Sequence, residues 1–320
     1  MEAEYKVKSM TYVGIDVSKK TLDCCVLDAD NEVYLKVQNS QGGYDELMSL
    51  LVLYDDVHVC LEATGSYWQS LVEFLAANDV RVSVENPAKI HYFAKASMLR
   101  MKSDKRDALL IADYCKVMTP RLYSPVAAAV AELKLLVGMY QRLKKQKISE
   151  RVKLLEAPAL VKPLINSNIE HFNNQLLETK EMLKAFFRSN ADLAHKHEIL
   201  QTIPGIGFSS GVVLLSILAS GYTFESANQF VAYLGLNPRK MESGTALKGR
   251  ERISKIGKPE YRAALYMPAV VAYSKNLYPD IVTRLQSNGK TPKVIIVALM
   301  RKLAIYAYTV YKTNSAYVAK

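Results

Sequence analysis

Cysteine is scarce in this chain of 320 residues, and the four present, Cys24, Cys25, Cys60 and Cys115, form no metal-ligand spacing. Adjacent Cys24 and Cys25 point to opposite faces of any strand, so the four read as reduced thiols of a cytoplasmic protein. Long apolar runs are missing too. Val212 to Ala219 is too short to span a bilayer, and the opening Met1-Glu2-Ala3-Glu4-Tyr5-Lys6-Val7-Lys8 lacks the apolar stretch of a signal peptide. No membrane partner is expected. Acidic residues are the minority charge, 31 against 42 Lys and Arg, which leaves a net charge of +11. That balance favours a polyanion, with nucleic acid ahead of a membrane surface. Internal repeats and low-complexity tracts are absent. What is present is a chain that is 50% hydrophobic and long enough to bury the cores of two ordinary domains.

From Thr11 to Cys115, short apolar strands mix with amphipathic helices. Strands are predicted at Thr11 to Asp16, Leu22 to Leu27, Glu32 to Val37, Val57 to Leu61 and Val80 to Val84. Helices are predicted at Tyr44 to Leu53, after Gly65, at Pro87 to Ala96 and at Ser103 to Lys116. Three successive strands followed by alternating elements suit an α/β ribonuclease-H-like fold. Ala127 to Lys153 and Ile165 to Ser189 then read as two long helices, separated at Pro158 and Pro163. Ile169, Phe172, Leu176 and Leu183 recur at helical spacing, which fits a coiled-coil arm or an ordinary helical hairpin. From Leu200 the chain is mainly helical, with a Gly-rich basic interruption from Asn237 to Lys258.

Four acids occupy unusual places. Asp16 closes an apolar strand and Glu62 ends another, and burying an unpaired carboxylate is costly unless a cation offsets it. Asp104 and Asp107 lie three apart at a helix start, so they share one helical face about 5–6 Å apart. Each has a plain alternative: Asp104 as a helix cap, Asp16 as a solvated strand end, Glu62 as a partner of Lys102 or Arg106. As a set they suit Mg²⁺ or Mn²⁺ acting on a phosphodiester. Gly14-Ile15-Asp16 followed by Ser18-Lys19-Lys20 also resembles the first phosphate segment of the actin-like sugar kinases. The further Gly-rich loops such a kinase needs are not found.

In the second half, Ile203-Pro204-Gly205-Ile206-Gly207 has a helix-hairpin-helix pattern, in which Gly205 and Gly207 would let amides meet a phosphate; an interhelical turn is the alternative. Arg239, Lys240, Lys248, Arg250 and Arg252 suit a grip on the sugar-phosphate backbone. Ser243, beside Gly244, can serve as a nucleophile, and on chemistry alone Ser254 is an equal candidate.

Tyr12-Val13-Gly14-Ile15-Asp16-Val17-Ser18-Lys19, Leu61-Glu62-Ala63-Thr64-Gly65, Asn86-Pro87, Lys102-Ser103-Asp104-Lys105-Arg106-Asp107-Ala108, Ile203-Pro204-Gly205-Ile206-Gly207 and Glu242-Ser243-Gly244 together resemble the DEDD transposases of the IS110 type. These are insertion-sequence recombinases related to the pilin-gene invertases. The resemblance implies a RuvC-like domain over residues 1–125, a coiled-coil arm over 126–198 and a transposase domain over 199–320. It implies that Asp16, Glu62, Asp104 and Asp107 are the metal ligands and that Ser243, rather than Ser254, forms a covalent link to DNA. It further implies donor and target DNA as partners, dimers or tetramers with composite sites, a structured bridge RNA in some members, and a cytoplasmic, nucleoid-associated location. A hydrolytic Holliday-junction resolvase, an invertase without a guide RNA and a non-enzymatic DNA-binding protein remain the rival readings.

Overall fold

Apolar side chains at every second position give the first part of the chain its sheet. The computed structural model describes residues 10–28, 31–97, 104–239, 242–243, 247–248 and 252–319, and divides into two units, Met1–Pro125 and Val126–Lys320. In the first unit, β1 (Thr11–Val17), β2 (Thr21–Asp28) and β3 (Asn31–Gln38) form an antiparallel meander. Helix α1 (Gln41–Leu51) then leads to β4 (Val57–Glu62), and α2 (Gln69–Ala77) leads to β5 (Arg81–Glu85). Both later strands run parallel to β1, giving the order β3-β2-β1-β4-β5. This is the mixed α/β sheet expected from the sequence, with an order that suits a ribonuclease-H-like fold.

Each face of the sheet has its own core. Val13, Ile15, Val17, Leu22, Val59 and Leu61 pack with Leu47 of α1 and Leu71 and Leu75 of α2. On the opposite face, α3 (Pro87–Ala96) and α4 (Asp104–Met118) cover Cys60 with Ile90, Ile111, Tyr114 and Cys115. Burial on both faces explains why β4 is almost continuously apolar. Asn86 caps α3 by accepting from the Ala88 amide, and Pro87 occupies the first turn, where its missing N–H costs nothing. All four cysteines are free and buried. Burial pushes the Cys24 thiol up to about 12, which keeps it unreactive at neutral pH.

The second unit is mostly helical. Helices α5 (Ala128–Glu156) and α6 (Lys162–Ser189) lie against each other, and α7 (Ala191–Gln201), α8 (Phe208–Leu218) and α9 (Ala227–Tyr233) follow. Pro163 starts α6 rather than interrupting it, because proline is tolerated in a first turn. Val130, Leu133, Val137, Leu183 and Phe186 from the long pair share one core with α8, in which every residue from Ser210 to Leu218 is buried. The basic interruption contains β6 (Pro238–Arg239), β7 (Glu242–Ser243), β8 (Leu247–Lys248) and β9 (Arg252–Ile253), with β7–β8 nested inside β6–β9. Strands of two residues have no readable periodicity, so they leave no mark in the sequence. Helices α10 (Pro259–Ser274), α11 (Pro279–Ser287) and α12 (Pro292–Thr313) complete the unit. Among the described residues α12 alone is long and apolar enough to cross a bilayer, but its Ile295, Leu299, Leu303, Ala307 and Val310 stripe is buried in this core.

His197 of α7 is buried in that core, stacked on Phe187 at 4.6 Å and 8°. Its Nε2–H donates to the Phe208 carbonyl at 3.1 Å, while Nδ1 lies 3.4 Å from the Gln201 side-chain nitrogen. Burial, opposed by the Phe208 hydrogen bond and the nearby Glu198, lowers its pKa. The unfolded chain therefore takes up this proton first, and the stability is present above about pH 6.5 and lost as pH falls below it. Urea midpoints measured from about pH 7.5 down to about pH 5.5 are expected to fall, and His197→Phe, which keeps the stack, is expected to flatten that slope.

Candidate active site

The site begins with strand alternation. Val13, Ile15 and Val17 face α1 and α2, so Tyr12, Gly14 and Asp16 face α4. A Cβ on Gly14 would lie 2.0 Å from the Ala108 carbonyl oxygen and 2.3 Å from the Ala112 nitrogen. Glycine is thus what allows α4 to rest on the β1 backbone. Further along α4, the Cys115 thiol donates to the His58 carbonyl at 3.7 Å, near the start of β4. Helix α4 therefore runs antiparallel to β1 and β4. Its first turn, with Asp104 and Asp107, lies toward the carboxyl ends of both strands.

Glu62 reaches the same end. Ile15 pairs with Leu61 in the parallel β1–β4 register, and Asp16 and Glu62 are the next residues of their strands. Cys60 faces α4, and two residues on so does Glu62. Glu62 Oε1 accepts from the Thr64 hydroxyl at 2.7 Å. Adjacent strands lie about 4.8 Å apart, so these acids belong to neighbouring positions.

Two acids of this face escaped the sequence reading. Asp23 lies opposite Asp16 on β2, and Glu85 lies opposite Glu62 on β5. Lys36 holds Asp23 at 3.0 Å, and Lys89 holds Glu85 at 2.8 Å. Across the sheet the row is Asp23, Asp16, Glu62 and Glu85, with a lysine on each outer member. Only strand register reveals this row, and no single-strand pattern carries it. The side chain of Asp104 lies outside the described residues, and among those described no three acids, thiols or imidazoles close into a metal-binding group.

In the second unit, Ser243 lies on β7 opposite Leu247, and Glu242 lies opposite Lys248. Arg239 and Arg252 pair across β6–β9 and are exposed. Lys240 and Arg250 lie outside the described residues, as do the side chains of Ser243 and Lys248. Ser254 is occupied in bracing the hairpin base: its hydroxyl donates to Asn237 Oδ1 at 2.6 Å and its amide to the Asn237 carbonyl at 2.9 Å. Gly205 and Gly207 join α7 to α8. At Gly205, φ is +94° and a Cβ would lie 3.0 Å from the Pro268 carbonyl oxygen, so this glycine serves packing against α10. The Gly207 amide donates to Ser210 Oγ at 3.2 Å, and that hydroxyl returns a bond to the Gly207 carbonyl.

Comparison with known proteins gives the chain a family. Residues 13–157 match the DEDD family model for IS110 elements, described as Transposase. Residues 197–284 match the model described as Transposase IS116/IS110/IS902 family. The pilin gene-inverting protein of Moraxella bovis is 34% identical over 313 residues, covering 96% of this chain and 97% of that protein. The transposase for insertion sequence element IS1533 of Leptospira borgpetersenii is 25% identical over 245 residues, covering 65% of this chain and 70% of that protein. Among solved structures, T. thermophilus RuvC in complex with a Holliday junction substrate superposes at a TM-score of 0.29, with 15% identity over 36% of this chain and 99% of that chain. The fold and the two family matches define a DNA-acting enzyme of the transposase and recombinase class. The chain belongs to the IS110-type DEDD transposases.

Proposed function

We propose that this protein excises and inserts an insertion sequence, with Ser243 as the nucleophile on a DNA phosphodiester and Asp16, Glu62, Asp104 and Asp107 as the ligands of a divalent metal. One observation carries the reading of the acids: Gly14 lets α4 rest on β1, so the first turn of α4 lies toward the strand ends that bear Asp16 and Glu62. An all-carboxylate donor set suits a hard cation such as Mg²⁺ or Mn²⁺. When bound, the cation would polarise the scissile phosphate and stabilise the charge of an in-line displacement.

Ser243 would supply the nucleophile. Its oxygen forms a bond to phosphorus, the deoxyribose oxygen leaves with a proton, and the phosphodiester is kept as a serine ester. A free deoxyribose hydroxyl then attacks the ester, restoring the serine and joining strands without an external energy source. Arg239, Lys240, Lys248, Arg250 and Arg252 would hold the DNA backbone, and Gly205 and Gly207 would support the α7–α8 turn near it. Residues 1–125 would form the RuvC-like domain, 126–198 the coiled-coil arm and 199–320 the transposase domain with its helix-hairpin-helix. Ile148, Val152, Leu155, Leu160 and Leu164 remain exposed on the long helices or between them, which supports assembly into a dimer or tetramer through that arm. The excess of positive charge supports two polyanions, DNA and a structured guide RNA, in a cytoplasmic setting.

Chelation tests the metal reading. With element-end DNA, EDTA is expected to abolish cleavage while leaving binding in place, and Mg²⁺ or Mn²⁺ to restore it. Undiminished cleavage in EDTA would overturn the metal assignment.

A further inference from the structure

Between α11, α12 and residues 314–319 lies a cavity of about 690 Å³. Three cations line it, Arg284, Arg301 and Lys302, against one acid, Asp280. Three tyrosines share the wall, Tyr278, Tyr306 and Tyr317. None of these residues belongs to the acidic face or to the basic hairpin.

Arg301 gives the cavity its direction. Its Nε is buried and has no hydrogen-bond partner among the described residues, while its Nη2 reaches Asn228 Oδ1 only at 3.5 Å. A buried unpaired donor is costly, more so when charged, so this guanidinium gains by turning from its long contact with Asn228 toward an acceptor in the cavity. Guanidinium presents a planar fork that matches phosphate oxygens. Lys302 holds its ammonium 4.9 Å from the Tyr306 ring centroid, so charge and aromatic surface adjoin. Tyr306 meets Tyr317 edge-on at 4.9 Å and lies 5.8 Å from Tyr278. The wall is fixed in advance: the Tyr278 hydroxyl donates to the Pro204 carbonyl at 2.9 Å, and the Tyr317 amide donates to Thr202 Oγ1 at 2.8 Å.

We propose that this cavity binds a nucleotide whose base is unpaired, with its phosphate on Arg301, Arg284 and Lys302 and its base against Tyr306 and Tyr317. The choice of nucleotide over other anions rests on the DNA-acting family of the chain; the rest follows from the cavity. Paired bases cannot present a ring face to tyrosine, so the polymer form of this ligand is a single strand. Asp280 in the lining repels an anion, which the three cations outweigh.

The test uses the full chain and a fluorescein-labelled single strand carrying bromodeoxyuridine, irradiated and mapped by peptide mass spectrometry. Crosslinks are expected on Tyr306 or Tyr317. In the Arg284→Gln/Lys302→Gln double variant, the affinity should fall about tenfold, with a salt dependence shallower by about 0.7 in logarithmic slope for each phosphate no longer neutralised. Competition separates two sources of the same chemistry. Displacement by unlabelled strand at far lower nucleotide concentration than by thymidine monophosphate assigns the cavity to a polynucleotide path; equal displacement assigns it to a free nucleotide. Crosslinks only at other residues, or unchanged binding in a double variant that melts like the parent, would overturn the proposal. DNA cleavage is read separately, so failure here leaves the roles of Asp16 and Ser243 standing.

Discussion

Replacing Asp16 or Asp107 with asparagine is expected to lower DNA cleavage by about 10³-fold while leaving DNA affinity nearly unchanged. Asparagine keeps the size of the side chain and removes the charge a divalent cation needs. Such a cation contributes several kcal/mol to stabilising the transition state, and about 4 kcal/mol corresponds to that factor. Binding should persist because phosphate contacts by Lys and Arg dominate affinity, and loss of one negative charge does not weaken them. Asp107 also lies in the first turn of α4, where a carboxylate favours the helix dipole by about 0.3–1 kcal/mol. A small loss of thermal stability is therefore expected in Asp107→Asn, too small to explain lost cleavage. If both variants cleave within about tenfold of the parent, a range of roughly 1.4 kcal/mol, the acids are structural.

Gly14→Ala is the second large expectation, and it acts through the backbone. The added methyl would lie 2.0 Å from the Ala108 carbonyl oxygen and 2.9 Å from the Ile111 carbonyl carbon. Both belong to the α4 backbone, so no side chain can rotate away. Overpacking of this kind costs on the order of 3 kcal/mol, a large part of the roughly 5–15 kcal/mol that holds a domain together. Helix α4 must move off β1, taking Asp104 and Asp107 away from Asp16. Urea unfolding should show the loss of stability, and cleavage should fall even under conditions where the protein remains folded. Parent-like stability and cleavage would mean that the close approach is not needed. Gly42, whose added Cβ meets nothing within 4 Å, supplies the matched control.

The strand ends bearing Asp16 and Glu62 were legible because an acid after an apolar run stands out against the period of a strand. Their shared face followed from the same period once the β1–β4 register was known. Asp23 and Glu85 were not legible, since each looks like an ordinary surface acid until pairing sets it beside Asp16 or Glu62. Gly205 is readable as a turn glycine, but its close approach to the carbonyl of Pro268, far along the chain, is something no local pattern encodes. Ser254 and Ser243 look alike on chemistry alone; the Glu242-Ser243-Gly244 resemblance favours Ser243, and the bond from the Ser254 hydroxyl to Asn237 is a long-range contact that no local pattern carries. The tyrosine wall joins Tyr278, Tyr306 and Tyr317 to the α7–α8 turn through bonds to Pro204 and Thr202, so it too depends on long-range packing.

The most direct test of the central claim is to locate the covalent bond. Protein incubated with element-end DNA and Mg²⁺ is quenched in denaturant, digested, and the DNA-linked peptide sequenced by mass spectrometry. The expected result is a deoxynucleotide ester on Ser243, absent from Ser243→Ala and from Asp16→Asn. Free cut ends without any adduct, or an ester on a different residue, would contradict it.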